Sequence, residues 1–212
     1  MNQVSTMKLV KVNNLSRDGR SRYSATCLLS KELNLEVLPV TDEGKIHFTS
    51  PTFAEIVDVL TRKFKIEEML DLFCGSGALS KIALLNGVTK IKSVDVFTGA
   101  TEINLRGYAN KVEVVQENVF EINFNGHYDL VTVDSPTILI ENVVQGLIPK
   151  IKSDLLVLYY GGKGNIEIDE RVENQLNHLF KEVFFIHYQP KHACCVSNKI
   201  GAEYINYLRK IF

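Results

Sequence analysis

The segment from Met69 to Ser80 constrains the fold more than any other, because a strand, a tight turn and a helix start follow one another there. An apolar run, Met69–Phe73, leads into the glycine-rich residues Cys74–Gly77 and then into a helix-like stretch. Glycine allows left-handed turns and lets a ligand approach the main chain closely. A strand, glycine turn and helix in this order are typical of α/β proteins that bind a nucleotide-like ligand.

Short apolar runs alternate with amphipathic stretches over the rest of the chain. The runs are rich in β-branched or aromatic residues and predict strands at Met69–Phe73, Ile91–Phe97, Lys111–Val115, Tyr128–Val133, Leu155–Tyr160 and Val183–Tyr188. The intervening stretches predict helices at Ala78–Leu85, Gly99–Tyr108, Ile138–Ile148 and Asp169–Phe180. Strand–helix alternation of this kind predicts a parallel sheet with helices on both faces.

The C-terminal end departs from this alternation. Val183–Tyr188 and Ala202–Ile211 read as two strands, and the loop between them, Gln189–Gly201, is too short for an ordinary crossover helix. We therefore expect these two strands to pair antiparallel. The sequence predicts an α/β fold with a doubly wound, mostly parallel seven-stranded sheet and an antiparallel last strand.

The first fifty residues have a different character. They predict short strands separated by turn residues, at Lys8–Val12, Tyr23–Leu29, Leu35–Leu38 and Lys45–Phe48. Ser50 is a suitable N-cap, and Pro51 suits the first position of a helix from about Pro51 to Phe64. We therefore divide the chain into a small β-rich N-terminal extension or lid, 1–50, and a ligand-binding domain, 51–212.

Composition excludes several classes of protein. The 212 residues are 45% hydrophobic and 23% charged, as in a globular domain with a real core. No apolar run is long enough to span a membrane, and Met1–Lys11 lacks the apolar core of a signal peptide. The four cysteines form no C-x-x-C pair, and His192 stands at a poor spacing from Cys194 and Cys195. We expect a cytoplasmic protein without a metal site.

Charge gives one local signal. The formal net charge is −1, so no overall basic field indicates a nucleic-acid partner. However, Arg17, Arg20 and Arg22 lie close together, opposed only by Asp18. They form either a solvated loop or a patch that contacts the phosphate backbone of RNA.

The wording of the glycine turn resembles one large family. Asp-Leu-Phe-x-Gly-Ser-Gly-Ala-Leu, from Asp71 onward, is similar to the cofactor loop of class I S-adenosylmethionine-dependent methyltransferases, and is nearest to the branch that methylates guanine N2 or adenine N6 of ribosomal RNA. The resemblance covers about 51–212 and implies that fold and S-adenosyl-L-methionine as the cofactor. It implies a cofactor-binding role for Asp71, Phe73, Gly75, Ser76 and Gly77, with Asp71 at the amino-acid end of the cofactor.

The second strand supplies a candidate for the ribose. Asp95 follows Gly77 by eighteen residues, close to the spacing of about 20 expected between such a glycine turn and an acid that accepts hydrogen bonds from ribose hydroxyls. The other interpretation of Asp95 is a cap for the following helix. With a ribose at Asp95, Val96 or Phe97 would lie over the adenine ring.

The stretch after the third strand supplies candidates for the adenine edge. The resemblance places Asn118 where the family usually has an Asp that accepts from the exocyclic amine, with Glu117 as the competing residue. It also gives the backbone amide of Val119 as the partner of a ring nitrogen.

The fourth strand ends in a segment that resembles the family's catalytic motif. In enzymes that methylate amino groups, the motif reads Asp or Asn, two prolines and an aromatic residue; here it reads Asp134-Ser135-Pro136-Thr137. The resemblance implies that Asp134 lies near the cofactor methyl and accepts hydrogens of the target amine, with Ser135 and Pro136 beside it. The missing aromatic ring must come from elsewhere, and Tyr159, Tyr160 and Phe53 are candidates, with Tyr160 as our catalytic choice.

Three functions remain open at this point. The first is a methyltransferase that acts on an amine of RNA or DNA, most plausibly an exocyclic amine of RNA. The second is a methyltransferase that acts on a small molecule or peptide, with the first fifty residues and the helix from Pro51 forming a lid. The third is a non-catalytic relative or one that transfers an aminopropyl group.

Overall fold

A computed structural model describes residues 49–160, 166–188 and 191–212. The predicted N-terminal strands and the cluster of Arg17, Arg20 and Arg22 lie outside these ranges. Predictions for those residues, including the division of the chain at residue 50, stay predictions.

The described residues form one seven-stranded sheet. Its strands are β1 Glu68–Leu72, β2 Lys90–Asp95, β3 Val112–Gln116, β4 His127–Val133, β5 Lys152–Tyr160, β6 Glu182–Tyr188 and β7 Lys191–Ser197. The order across the sheet is β3-β2-β1-β4-β5-β7-β6. The first five strands are parallel, and β7 runs antiparallel to both β5 and β6.

Six α-helices surround this sheet within the described ranges. They are α1 Pro51–Lys63, α2 Ala78–Leu85, α3 Gly99–Leu105, α4 Ile140–Asn142, α5 Ile166–Leu179 and α6 Glu203–Ile211. Short α4 belongs to a longer irregular helical segment, with 3₁₀ turns at Thr137–Leu139 and Ile148–Lys150 and a π turn at Val143–Leu147. None of the helices in the described ranges is both long and apolar enough to cross a membrane.

Both faces of the sheet are buried. On one face, α1, α2 and α6 contribute buried side chains such as Phe53, Ile82 and Leu208 to a cluster with Met69 and Val157. On the other face, side chains of the helical segment around α4 and of α5 pack against β1, β4 and β5. Burial on both faces explains why the strands read as continuous apolar runs and not as alternating ones.

The order in which successive strands join the sheet reverses between β1 and β4. Leu72 of β1 pairs with Val94 of β2 on one side and with Val133 of β4 on the other, so the carboxyl ends of these three strands are level. Ligands of open α/β sheets bind at this kind of switch point, outside the carboxyl ends of the strands. The fold thus indicates where a functional site belongs.

The predicted fold class is confirmed, but one of the two C-terminal strands was wrongly located. The antiparallel strand is β7, Lys191–Ser197, whereas Ala202–Ile211, predicted as a strand, contains helix α6. Ile205 and Leu208 are buried and lie three residues apart, which is helical spacing. Ala193–Val196 are all fully buried, so β7 lacks the alternation that marks a half-exposed strand.

The stretch predicted as one helix, Ile138–Ile148, is also different. It is a succession of 3₁₀, α and π turns, and Ile138 lies in the first of them. Its buried residues, among them Ile140, Val143, Val144 and Leu147, still follow helical spacing. The apolar pattern therefore located the helical segment correctly without revealing its irregular turns.

Candidate active site

Three residues directly follow the level ends of the adjacent strands β2, β1 and β4. They are Asp95, the last residue of β2, Phe73, directly after β1, and Asp134, directly after β4. With neighbouring strands about 4.8 Å apart, the backbones at Asp95 and Asp134 are separated by about 10 Å. The fold therefore brings together the acids that the sequence singled out.

Glycine is required at the two turn positions, Gly75 and Gly77, for different structural reasons. Gly75 and Gly77 both adopt left-handed backbone, with φ of +55° and +75°. A Cβ at Gly77 would lie 3.0 Å from Thr101 and 3.2 Å from Leu105, so Gly77 is needed for packing against α3. A Cβ at Gly75 would meet only the Phe73 carbonyl oxygen, at 4.0 Å. The space over Gly75 is open, as a site for a ligand against bare backbone requires.

Phe73 is the one non-glycine residue with positive φ in the described ranges, at +57°. An aromatic side chain in this conformation is strained, and such strain concentrates at functional sites. The Phe73 ring is half-buried and packs edge-on against Phe120, with ring centroids 6.3 Å apart. Phe73 therefore connects the turn after β1 to the segment after β3.

Helix α3 holds the glycine turn through two side chains that sequence reasoning missed. Thr101 Oγ1 donates to the Gly75 carbonyl at 2.6 Å, and Asn104 Nδ2 donates to the Ser76 carbonyl at 2.8 Å. Both are buried, as is Ser76. Two polar residues three apart within an otherwise apolar helix face were the available signal, because buried polar side chains need partners.

Asp95 is bound to the glycine turn. Its Oδ2 accepts from the Gly75 N–H at 2.9 Å, and its Oδ1 accepts from the Phe97 N–H at 3.2 Å. A carboxylate offers about four lone-pair sites, so each oxygen retains capacity for another donor. The geometry agrees with an acid that holds the turn and still has an acceptor for each of two hydroxyls.

An apolar surface follows Asp95. Val96 is 48% exposed and Phe97 is 37% exposed. Across from them, Val119 is buried, while half-buried Asn118 accepts from the Phe120 N–H at 3.2 Å and donates to Glu121 at 2.9 Å. The predicted adenine residues thus lie on neighbouring strand ends, and Glu117, the competing residue, is exposed.

Asp71 is fully buried and lies beneath the glycine turn. Its Oδ2 accepts from Ser80 N–H at 3.2 Å and from Ser80 Oγ at 2.6 Å, and its Oδ1 accepts from Thr132 Oγ1 at 2.8 Å. Burial raises the pKa of the Asp71 carboxyl to about 6, although the hydrogen bonds from Ser80 and Thr132 act in the opposite direction. Asp71 therefore joins β1, α2 and β4, and its predicted role at the cofactor stays a prediction.

The segment after β4 contains a buried serine hydroxyl close to Asp134. Asp134 is half-buried, and its N–H donates to the Leu72 carbonyl at 3.3 Å. Ser135 is only 7% exposed, yet its Oγ is buried without a hydrogen-bond partner in the described part of the chain. Pro136 is exposed. Buried hydroxyls usually have a partner, so Ser135 is unusual at this position.

The aromatic residues proposed to replace the missing ring are all interior. Phe53 and Tyr159 stack on each other in the core, and Tyr160 is 2% exposed with its hydroxyl donating to Glu173 at 2.7 Å. Burial and the bond to Glu173 raise the pKa of the Tyr160 hydroxyl well above its ordinary value. An exposed apolar residue that the sequence reading missed lies at this edge instead: Ile138, at 90% exposure.

The described cysteines are packed residues. Cys74 is buried with Sγ 3.5 Å from Thr101 Oγ1, and burial raises the pKa of its thiol. Cys194 and Cys195 are fully buried in the clusters on opposite faces of the sheet, and burial raises the pKa of both thiols. Nucleophilic thiols require the thiolate, so these surroundings do not favour cysteine catalysis.

Comparison with known proteins identifies the architecture. No protein-family model and no curated protein matches the sequence. Solved structures do match: the METTL16 MTase domain (TM-score 0.61, 14% identity, 84% of this chain and 79% of that chain) and a dimethyladenosine transferase from Plasmodium falciparum (0.55, 16%, 75% and 66%). The fold is that of class I S-adenosylmethionine-dependent methyltransferases. Another match is N-methyltransferase NodS from Bradyrhizobium japonicum, in complex with S-adenosylhomocysteine (0.53, 11%, 69% and 85%).

Proposed function

We propose that this chain is an S-adenosylmethionine-dependent methyltransferase whose acceptor is an exocyclic amine of an RNA base. The proposal rests on two acids at the switch point. Asp95 is bound to the open Gly75 backbone, and Asp134 lies about 10 Å away beyond β1. The class I fold makes this edge the expected position of the cofactor.

The residues present are suited to S-adenosylmethionine. Asp95 has acceptor capacity for the ribose hydroxyls, and exposed Val96 and Phe97 offer an apolar surface for the adenine. The open space over Gly75 admits the methionine part of the cofactor, which extends from the other side of the ribose. Asn118 and the Val119 amide serve the adenine edge. Phe73, Ser76, Gly77 and Asp71 shape the turn that carries these contacts. When bound, the cofactor supplies a methyl group already activated on a sulfonium.

The chain's own contribution to transfer is alignment and acceptance of hydrogen. The Asp134 carboxylate accepts the amine's hydrogens and orients its lone pair toward the cofactor side of the site, and it stabilises the charge that develops on the nitrogen. Ser135 and Pro136 hold the loop that carries Asp134. The catalytic role predicted for Tyr160 is not part of this proposal, because its hydroxyl donates to Glu173 in the interior.

Ile138 takes the place of the missing aromatic residue in this proposal. It is 90% exposed, four residues beyond Asp134, and lies in the turn that follows the Asp-Ser-Pro segment. An apolar side chain there can pack on one face of a base that has been extruded from its stack. The interior positions of Phe53, Tyr159 and Tyr160 favour Ile138 over these three rings.

Support for a nucleic-acid acceptor comes from two sources. One matched structure is a dimethyladenosine transferase, and the glycine turn has the wording of enzymes that methylate bases. We expect contacts to the RNA phosphates from the N-terminal extension, where Arg17, Arg20 and Arg22 would bind the backbone with release of counterions.

A small-molecule or peptide acceptor is the second candidate, and one observation favours it. The ring that stacks on a base is replaced by Thr137, and the nearby aromatic side chains of Phe53, Tyr159 and Tyr160 are buried. In this case the first fifty residues act as a lid over an enclosed acceptor, not as an arm for RNA.

Transfer of a tritiated methyl group distinguishes these acceptors. The full chain is incubated with labelled S-adenosylmethionine and either RNA, a peptide mixture or a small-amine mixture, with Asp134→Ala as the inactive control. We expect label in RNA, recovered as a methylated amino group after digestion, and affinity for RNA that falls steeply with salt. Label only in peptides or small amines, with salt-insensitive binding, would contradict the RNA proposal.

A further inference from the structure

A cluster of ionisable side chains lies at the carboxyl edge of the sheet, beyond β5. His187 of β6 and His192 of β7 are paired residues across the antiparallel hairpin. Their Nδ1 atoms are 3.0 Å apart, and the two rings meet at a centroid distance of 4.9 Å. Two imidazoles presented side by side by a rigid hairpin form a bidentate arrangement, since directly opposite residues share one face of the sheet.

Helix α5 adds two carboxylates to this pair. Glu173 Oε1 lies 3.9 Å from His187 Nδ1, and Asp169 Oδ2 lies 3.5 Å from His192 Nε2. The two acids are four residues apart and therefore on one face of the helix. Their side chains are 27% and 18% exposed, whereas that of His187 is 55% exposed, so the cluster is enclosed on the helix side and open at His187.

Two groups of the cluster, Glu173 and His192, are each held by an outer partner. Tyr160 donates its hydroxyl to Glu173 at 2.7 Å, and the Tyr160 ring packs against that of His192. Asp169 accepts from Nε2 of His192, which leaves the Nδ1 lone pair of His192 directed toward His187. Metal-binding histidines and carboxylates have this kind of second contact, which orients them.

We propose that His187, His192 and Glu173 bind a divalent transition metal of the zinc class. A metal bound at about 2.0–2.1 Å from nitrogen places two neighbouring ligand nitrogens about 3.0–3.4 Å apart. The Nδ1 atoms already meet this separation, and the Glu173 carboxylate, whose Oε1 lies 3.9 Å from His187 Nδ1, completes the site by moving toward both rings. Nδ1 of both rings must be unprotonated, so the hydrogen shared between them moves to the other ring nitrogen of half-exposed His187 through solvent.

A second group, His127, Asp129 and Asp154 at the amino edge, brings its ligand atoms within 4.8 Å of one another. Here a cation is already present, because Lys199 Nζ lies 2.6 Å from Asp154. Asp129 Oδ2 accepts from two backbone N–H groups, those of Glu67 and Glu68. The hairpin cluster has no lysine or arginine among the contacts just described, which favours it as the metal site.

The test is calorimetric titration of chelator-treated full-length protein with ZnCl₂ and, separately, MgCl₂. We expect one zinc ion to bind, with no comparable binding of magnesium, because imidazole suits zinc and magnesium prefers oxygen ligands. His187→Ala and His192→Ala should each weaken zinc binding by more than about 100-fold, and Asp169→Asn, which changes an outer contact, by about 10- to 100-fold. The measurement needs no cofactor, so its outcome is independent of methyl transfer.

Two matched variants control for the other histidines. His178→Ala removes an exposed histidine from the same helix, and His127→Ala removes the ligand of the second group. Both should leave zinc binding unchanged. Absence of zinc binding, unchanged binding in His187→Ala, or loss of binding in His127→Ala would each overturn the proposal.

Discussion

The two sides of the switch point are built differently. On the β1–β2 side, which comprises Asp71–Gly77 and Asp95–Phe97, the buried polar groups are bonded: Asp71 by Ser80 and Thr132, and the turn carbonyls by α3. On the β4 side, Asp134–Ile138, a buried hydroxyl lacks a partner among the described residues, and a large apolar side chain is 90% exposed.

The difference in bonding indicates which side selects the acceptor. A bonded network of buried polar groups fixes one geometry, as a ligand shared by many enzymes requires. A loop with an unpaired hydroxyl and an exposed isoleucine is suited to contacts that form only with a bound acceptor. We infer that the β1–β2 side binds the cofactor and that the β4 side selects the acceptor. The following variants test that division.

The largest effect is expected from Gly75→Arg. An arginine side chain would fill the open space over the turn and also strain a left-handed backbone, so binding of S-adenosylhomocysteine should become unmeasurable by calorimetry. Gly87→Arg is the matched control, because Gly87 also has positive φ, +96°, and open space around it, but lies in the turn after α2. Equal losses in both variants would show that backbone strain, and not occupation of the site, is the cause.

Asp134→Ala should separate the two sides kinetically. Loss of the acceptor for the amine hydrogens should lower turnover by about 10²- to 10⁴-fold. The dissociation constant for S-adenosylhomocysteine, measured by calorimetry, should remain nearly unchanged because Asp134 belongs to the β4 side. Asp134→Asn, which keeps one acceptor oxygen, should retain more activity. Normal turnover in Asp134→Ala would remove this residue from the mechanism.

Asp71 gives a pH test of the bonded network. Because the pKa of its carboxyl is raised to about 6 from an ordinary 3.8, the folded protein binds more protons than the unfolded chain between these pH values. The stability of the protein should therefore fall as pH rises from about 4 to 6, by at most about 3 kcal/mol from this group. Urea unfolding of wild type and Asp71→Asn over this range measures the difference. A difference that is independent of pH would contradict the raised pKa.

The smallest effect is expected from Ser135→Ala. Removing an unpaired buried hydroxyl should leave the free energy of unfolding unchanged or raise it by up to about 1 kcal/mol. Ser197→Ala is the matched control, since the Oγ of this buried serine donates to the Asp154 carbonyl at 2.8 Å. Its removal should lower the free energy of unfolding. Destabilisation of Ser135→Ala equal to that of Ser197→Ala, in urea unfolding, would show that Ser135 has a partner.

The sequence predicted the β1–β2 side better than the β4 side for a physical reason. Glycine turns and strand-end acids are local patterns, so Gly75 and Asp95 were recognisable at their spacing. The hydrogen bonds from α3 could not be recognised in the sequence, because Thr101 and Asn104 meet the turn only through tertiary packing. For the same reason Tyr160, which looked available at a strand end, lies in the interior against Glu173.

Helices and strands, too, were predicted correctly only where a local sequence pattern marks them. Helix α2 was predicted at its observed bounds, Ala78–Leu85, because the glycine turn marks its start. Strand β7 was missed because a strand buried on both faces has no alternation, and α6 was read as a strand although Ile205 and Leu208 have helical spacing. The hairpin that brings His187 and His192 together depends on that missed strand, so the sequence indicated no such cluster.

Binding of the cofactor ribose by Asp95 can be tested with two ligands. Calorimetry compares S-adenosylhomocysteine with its 2′-deoxyribose analogue, for wild type and for Asp95→Ala. If Asp95 accepts the ribose hydroxyls, wild type should bind the parent ligand more tightly than the analogue by roughly 10-fold or more, and Asp95→Ala should bind both weakly and alike. If Asp95→Ala binds the parent ligand as tightly as wild type, or still distinguishes the two ligands equally well, Asp95 does not bind the ribose.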